Sequence, residues 1–556
     1  MSSSSDPRSS RAWPYALLFI LVGIIFGSTL TLSIFSRRYA RIAGRSVIVQ
    51  HDVNGRSQWD KIGVVLDIVR DKYVDTLDRD QVVDAALDAA LASLDPHSVY
   101  MPPVDLEAAD GQLAGNFEGI GIQFNVPADT ATVIEVISGG PSEKAGLLPG
   151  DHLLKVGDRE IAGCHFPQDS MVALMRGPAG SKVTLLIDRQ GEQFPVEIER
   201  GVISNRSADA AFMMDDGRTG YIRLSKFTTA SYRDFVEAFL PLQKDGMKKL
   251  VLDLRENSGG LMDQAIYIAR ELLPEGEMIV YAEGRKFPRE EYYAEGKGRL
   301  RDIELVVLID EFSASASEIL AGAIQDNDRG LIVGRRSFGK GLVQEPVYFT
   351  DGSGIRLTVA RYYTPSGRCI QKPYTSDYEY ETYDRYNRGG EVYSAENMHV
   401  DSSQVFYTRG GRKVYGSGGI VPDIFVPVDT TRASNFYVSC NRKNTLMRYA
   451  SWVLDRYSRR LSSIDSFPDM DRFLEEVDIP GTFVSFARSR DGIVAGAGEW
   501  EASEPYMLPQ LKALISRYSK LGENAFYKYY LTMDNVFARA LEAPALVVGS
   551  EDSTGE

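Results

Sequence analysis

The sequence predicts an α+β protein of several domains, and three observations carry that reading. The chain is 556 residues long, more than a single core ordinarily serves. Its hydrophobic periodicity changes twice, from helical spacing to short strands with glycine turns, and then to strands alternating with helices. The composition is that of a folded chain, with 44% hydrophobic, 10% aromatic and 25% charged residues.

Residues 1–11 read as a short tail. No charged residue occurs from Ala12 to Ser36. At about 1.5 Å rise per residue that run can cross a hydrocarbon core of about 30 Å, so residues 12–36 are predicted to be a transmembrane anchor. A cleaved signal peptide is the competing reading, although its apolar stretch is ordinarily about 7–15 residues. Arg8 and Arg11 precede the run, while Arg37, Arg38, Arg41 and Arg45 follow it. Charge alone would therefore leave the large domain in the cytoplasm. Residues 37–56 read as a linker.

Residues 57–110 form a helical segment. Ile62, Val65, Leu66 and Ile68, then Val82, Val83, Ala86, Leu87 and Ala90, recur at helical spacing until Pro96, Pro102 and Pro103 break it. Residues 111–203 make a small β-rich module: IGIQF, ATVIEVI, KVTLLID and FPVEIER are strands, and SEKAG and QDSMVALMR short helices. Residues 204–429 alternate apolar strands (GYIRL, KKLVLDL, ELVVLID, GLIVG) with amphipathic helices, which predicts a sheet covered by helices. A tyrosine-rich stretch at about 374–415 interrupts this core as an insertion or lid. Residues 430–556 return to helix, and their amphipathic runs can pack on the core or build an interface between copies.

Composition excludes several classes. With 62 basic against 77 acidic residues the net charge is −15, a surface that repels phosphate backbones and argues against nucleic acid as a partner. The three cysteines, Cys164, Cys369 and Cys440, lie far apart without CxxC spacing, so neither a disulfide scaffold nor a zinc ribbon is predicted. There are five histidines, none between residues 166 and 398, and no HExxH. No metal or organic cofactor is expected.

The chemistry concentrates in residues 308–344, LIDEFSASASEILAGAIQDNDRGLIVGRRSFGKGLVQ. A strand runs into the turn Ser313-Ala314-Ser315-Ala316-Ser317 and then into a helix, where Ser315 and Glu318 fit the S-x-x-E capping box. Ser315 can be a cap and nothing more. It can also be a nucleophile, because free N–H groups and the positive dipole end at a helix N-terminus suit a developing oxyanion. With no histidine between residues 166 and 398 a Ser-His-Asp arrangement is awkward, although folding can still bring a histidine near, and a lysine is the other candidate base. Lys340 sits between glycines in FGKG, and it serves only if burial or a neighbouring cation, such as Arg335 or Arg336, lowers its pKa.

SASASEI, a GK with its lysine 25 residues after Ser315, and Gln344 four residues later resemble the carboxyl-terminal processing family of Ser-Lys peptidases. LDPHSVYM, GYIRLSKF, DLRENSGGLMDQA, RLTVARYYTPSGRCIQ and GGIVPDI extend the resemblance, in order, over residues 60 to about 428. It implies a crotonase/ClpP-like mixed-sheet protease core with Ser315 as nucleophile, Lys340 as base and Gln344 as the residue orienting the lysine. It also implies an oxyanion hole from the Ala316 N–H and a glycine N–H, with Gly259 and Gly260 both open. Asp253 and Arg255 read as structural.

The β-rich module resembles a PDZ domain through FEGIGI and GGPSEKAGLLPGDHLLKVGD. The resemblance implies that Gly119, Ile120, Gly121 and Ile122 capture a terminal carboxylate and pair with an extended peptide, with Met171 and Leu174 as side-chain pocket walls or as ordinary core. Arg176 is expected to couple the module to the core. The function implied is a serine endopeptidase that recognises C-terminal tails and works through an acyl-enzyme. A catalytically silent PDZ-bearing scaffold is the alternative, and a crotonase-like acyl-CoA enzyme a third reading. The resemblance also implies a single-pass inner-membrane protein with its catalytic domain in the periplasm.

Overall fold

A computed structural model describes residues 60–546, apart from residues 128, 138, 205, 375–389, 399, 417, 430–433 and 545. One expectation is corrected. Among the described residues no helix is long and apolar enough to cross a membrane, and the apolar run 12–36 lies outside them. The single-pass, inner-membrane and periplasmic placement is accordingly withdrawn. Residues 375–389 and 399 of the 374–415 insertion also lie outside the described residues.

The chain divides into two units at Ala85/Ala86. The first contains the helix Asp60–Lys72, with Ile62, Val65 and Ile68 exposed along it. The second contains everything that follows, and its centre is a six-stranded sheet. In spatial order the strands are Ala208–Met213, Thr219–Leu224, Lys249–Asp253, Glu304–Ile309, Leu331–Gly334 and Ile424–Phe425. The first pair is antiparallel and the other four pairings are parallel.

All five residues of Lys249–Asp253 are buried, which requires cover on both faces. Alternation along the strands sends Leu250, Leu252, Leu305, Val307 and Ile309 to one face. There they meet the helices Ser231–Lys244, Met262–Leu272 and Ala316–Asp326. Val251, Val306, Leu308 and Val333 go to the other face, against Val536, Phe537 and Ala540 of the last helix, Asn535–Leu541. Burying each such side chain contributes about 1.5–3 kcal/mol.

A second sheet lies beside the first. Its long hairpin pairs Leu342–Tyr348 with Gly354–Tyr363, and Gly354–Tyr363 also pairs with Val99–Met101 and Met278–Glu283. The PDZ-like module contains the strands Ile122–Asn125, Ala131–Val136, His152–Val156, Lys182–Arg189 and Glu192–Glu199, with Arg159–Glu160 attached. A separate ribbon, Asn116–Gly119 against Gly201–Ser204, joins the points where the chain enters and leaves the module.

Helices from Asn435 to Tyr530 form their own core around Phe436, Tyr449, Phe473, Phe483 and Leu511, and Ile134 of the PDZ-like module is part of it. Amphipathicity left their partner open; the structure packs them on both neighbours. Arg255 pairs with Asp534 at 2.6 Å, Asn524 Oδ1 accepts the Ala211 N–H at 2.8 Å, and Lys249 Nζ donates to the Ala540 and Leu541 carbonyls at the end of the last helix. On the module side, Gln190 Nε2 donates to Ser458 Oγ.

His152 Nε2 lies 3.0 Å from Asp455, and that hydrogen bond holds the imidazole above its ordinary pKa, against the opposing effect of burial. A raised folded-state pKa means the pair stabilises the docked module fully below the unfolded value of about 6.5. The contribution is lost as pH rises through the folded value. Melting curves of wild type and His152→Asn are therefore expected to differ most below about pH 6 and to converge above neutrality. A difference that does not vary with pH would show that the ionic pair is not what holds the two together.

Candidate active site

The strand Glu304–Ile309 feeds a turn that Asp310 folds, its carboxylate accepting the N–H groups of Glu256 (3.0 Å), Phe312 (3.1 Å) and Ser313 (3.1 Å). Of the three serines that follow, two are committed. Ser313 Oγ donates to the Leu254 carbonyl at 2.8 Å and Ser317 Oγ to the Asn257 carbonyl at 2.9 Å, and both residues are fully buried. Ser315 is partly exposed and caps the helix Ala316–Asp326 with φ 54° and ψ −112°. An ordinary N-cap lies in the β region. A side-chain-bearing residue held at such φ costs on the order of 1–3 kcal/mol, more distortion than capping requires.

Glu318 holds that geometry. It is fully buried, and its carboxylate accepts four hydrogen bonds: from Ser315 N–H (2.8 Å), Lys340 N–H (2.9 Å), Gly339 N–H (2.7 Å) and Ser337 Oγ (2.5 Å). Burial pushes this carboxyl above its ordinary pKa, while the four donors pull the other way. Tyr362, also buried, points one hydroxyl at the carbonyl oxygens of both Ser315 (3.0 Å) and Lys340. The backbones of Ser315 and Lys340 are thus tied to each other on both sides. Sequence reading saw Glu318 only as a capping partner and missed Tyr362. The available signal was an acid set among the buried helix positions Ile319 and Leu320.

Lys340 is largely withdrawn from solvent, and desolvation, with Arg356 adding to it, lowers the ammonium below its ordinary pKa; Glu318 and Asp95 oppose. The cation facing it is therefore Arg356 of the second sheet. Arg335 and Arg336 are paired with Glu311 and Glu391. Lys340 Nζ donates to Gln344 Oε1 at 2.9 Å, and Gln344 Nε2 donates to the His97 carbonyl at 2.6 Å.

The turn Asn257–Gly260 lies against Ser315. Gly259 has φ 98°, and a Cβ there would come within 2.8 Å of Ser315 Cβ and 2.6 Å of the Ala314 oxygen. Gly260, at φ 138°, would drive a Cβ into the Phe227 carbonyl. The Gly259 N–H donates to Asn257 Oδ1 at 2.9 Å. The N–H groups of Gly260 and Ala316 take no hydrogen-bond partner among the described residues. Asp253 is fully buried and bonded to Arg255, which reaches on to Asp534.

In the PDZ-like module the N–H groups of Ile120 and Gly121 take no hydrogen-bond partner among the described residues. The strand starting at Ile122 is at the sheet edge. Met171 lies wholly within the module's core and Leu174 packs partly against it. Arg176 is exposed and sits over the Phe117 ring, 5.4 Å from its centroid, inside the module itself.

A Ser-Lys-Gln cluster beneath a helix N-terminus, on a mixed sheet joined to a PDZ-like module, defines a class: a serine-type peptidase. Comparison with known proteins bears this out. Residues 218–380 match the model of peptidase family S41, residues 119–199 a PDZ domain, and residues 33–103 the activating protease CtpB N-terminal domain. The carboxy-terminal-processing protease of Bartonella bacilliformis is 35% identical over 362 residues, covering 64% of this chain and 80% of that protein. The carboxyl-terminal-processing protease of Synechocystis is 34% identical over 382 residues, 66% and 86% of the two chains. CtpA of Bacillus subtilis is 33% identical over 356 residues, 64% and 74%. The chain belongs to peptidase family S41, the carboxy-terminal processing serine proteases, and carries that family's PDZ domain.

Proposed function

We propose that this peptidase cleaves protein substrates with a Ser315–Lys340 dyad and recognises them by their C-terminal tails. The observation that carries the reading is the joint suspension of Ser315 and Lys340 from one buried carboxylate, with Lys340 desolvated beside them. Neutral Lys340 takes the proton from Ser315 Oγ as the oxygen attacks the scissile carbonyl, and Gln344 orients the amine. The developing oxyanion is met by two N–H groups. Ala316 supplies one. Gly260 is the better second donor than Gly259, whose N–H is already given to Asn257. Protonated Lys340 returns that proton to the leaving amine as the C–N bond breaks, and water deprotonated by the neutral Lys340 then releases the acyl group from Ser315.

The tail carboxylate binds at the N–H groups of the Gly119–Ile122 turn, and the chain before it adds to the edge strand beginning at Ile122. Leu174 forms the wall of the side-chain pocket, with Met171 behind it in the module core.

A fluorophosphonate, which needs an activated serine but no turnover, tests the dyad. Peptide mapping by mass spectrometry is expected to find one adduct, on Ser315, formed far more slowly in Lys340→Ala. An adduct on Ser313 or Ser317, or equal rates in the two proteins, would refute the assignment.

A further inference from the structure

The turn Asp95–Ser98, in the LDPHS segment, stands apart from the reacting groups and yet is tied to them. We propose that Asp95 is a positioning residue for catalysis: by shaping this turn it aims the His97 carbonyl at Gln344, which sets the orientation of the amide toward Lys340. The proposal rests on the Ser315–Lys340 reading above.

Asp95 is nearly buried. Its Oδ1 accepts the N–H groups of His97 and Ser98, each at 2.8 Å, and its Oδ2 accepts Ser98 Oγ at 2.8 Å. Burial works against its ionisation, but these bonds outweigh it and hold the carboxyl below its ordinary pKa. With the His97 and Ser98 amides fixed, the intervening carbonyl has one direction left, and it meets Gln344 Nε2 at 2.6 Å.

The turn is anchored to the strand opposite Gln344. The Thr358 N–H donates to Ser98 Oγ at 3.2 Å and Thr358 Oγ1 to Asp95 at 3.3 Å. Thr358 is the cross-strand partner of Gln344, at the point where the hairpin register shifts by a bulge. Bulges re-aim side chains. The strand that leaves the turn, Val99–Met101, pairs with Gly354–Arg356.

The consequence for Lys340 follows from the asymmetry of a carboxamide. Its two ends have nearly the same shape but opposite hydrogen-bonding character, and neighbours decide which end points where. A carbonyl at His97 can only accept, so Nε2 must face it and Oε1 must face Lys340. Oε1 takes an N–H from the lysine and leaves the lone pair of the neutral amine free for the serine proton. A reversed amide would donate to that lone pair and block the base. Asp95 also acts on Lys340 as a charge, together with Glu318 and the opposing Arg356. The test must therefore separate geometry from charge.

Asp95→Ala is expected to lower kcat by about 10–100-fold, as loss of a partner that orients a reacting group commonly does, with KM changed less than about twofold. Asp95→Asn keeps the acceptor for His97 and Ser98 but removes the charge, and is expected to stay within about threefold of wild type. In a Gln344→Ala background, Asp95→Ala is expected to cost less than about threefold further, because its route to Lys340 is already cut. Fluorophosphonate labelling of Ser315 supplies rates for slow variants, and Ser98→Ala replaces Asp95→Ala should the latter fail to fold. Three results would overturn the proposal: Asp95→Asn as impaired as Asp95→Ala, the full Asp95→Ala loss persisting without Gln344, or unchanged kcat in Asp95→Ala. Lys340→Ala, run alongside, separates this from failure of the dyad. If that variant labels and cleaves like wild type, the dyad itself is wrong.

Discussion

Replacing Ser315 or Lys340 by alanine is expected to lower kcat by on the order of 10⁴-fold or more while leaving folding intact. Residues that act as one catalytic unit fail together, so the double variant should be scarcely slower than either single one. Neither alanine removes a hydrogen bond to buried Glu318, whose four donors are the Ser315, Gly339 and Lys340 backbone N–H groups and Ser337 Oγ. Equal melting temperatures should accompany the loss. The pH dependence carries a sign. On the Ser315–Lys340 reading activity requires neutral Lys340, so kcat/KM should rise as pH passes the lysine's pKa, which burial lowers from its ordinary value. Cleavage of an unstructured protein, followed by mass spectrometry, reads both quantities. Retention of more than a few per cent of wild-type kcat in Lys340→Ala would require a different base.

Glu318→Gln should damage the enzyme nearly as much, and by another route. The carboxylate offers two acceptor oxygens to four donors. An amide offers one oxygen and two hydrogens of its own. Turned one way, it confronts the Ser315 and Lys340 N–H groups with another donor. Turned the other way, it strands Gly339 N–H. Unpaired buried donors cost about 1–3 kcal/mol each, so a loss of roughly 3 kcal/mol is expected in denaturant unfolding. The loss in kcat should be larger than that alone explains, on the order of 10²-fold in molecules still folded, because both reacting residues lose their common suspension. A variant that is destabilised yet turns over at the wild-type rate would reduce Glu318 to a core residue.

The parts of this architecture legible in the sequence are those written in neighbouring residues. Leu250, Val251 and Leu252 read as a strand buried on both faces because an unbroken apolar run has no polar side to offer. Ser315 and Lys340 stood out through a local motif. The links that make them a site are long-range. Gln344 reaches the carbonyl of His97, 247 residues away in the chain, and the Tyr362 hydroxyl meets two backbone oxygens that no spacing rule connects. A carbonyl that acts through its backbone leaves no trace in residue type. The prolines around Val99–Met101 read as the end of a helix and concealed a strand that pairs with Gly354–Arg356. The C-terminal helices displayed an apolar face without naming its partner. Docking on the sheet and on Ile134 depends on shapes that exist only after folding.

The helix Asn535–Leu541 closes one face of the very sheet whose other face supports Ser315 and its helix. During synthesis, strands from Thr219 to Gly334 leave the ribosome long before that helix does. Until it arrives, Val251, Val306, Leu308 and Val333 are without the cover it gives them, and Lys249 is without the carbonyls it caps. The emerging chain therefore carries Ser315 on an incomplete platform, and the core matures only when translation has delivered residues 535–541. For a protease, that order of assembly delays a finished catalytic core until the helix Asn535–Leu541 has been made.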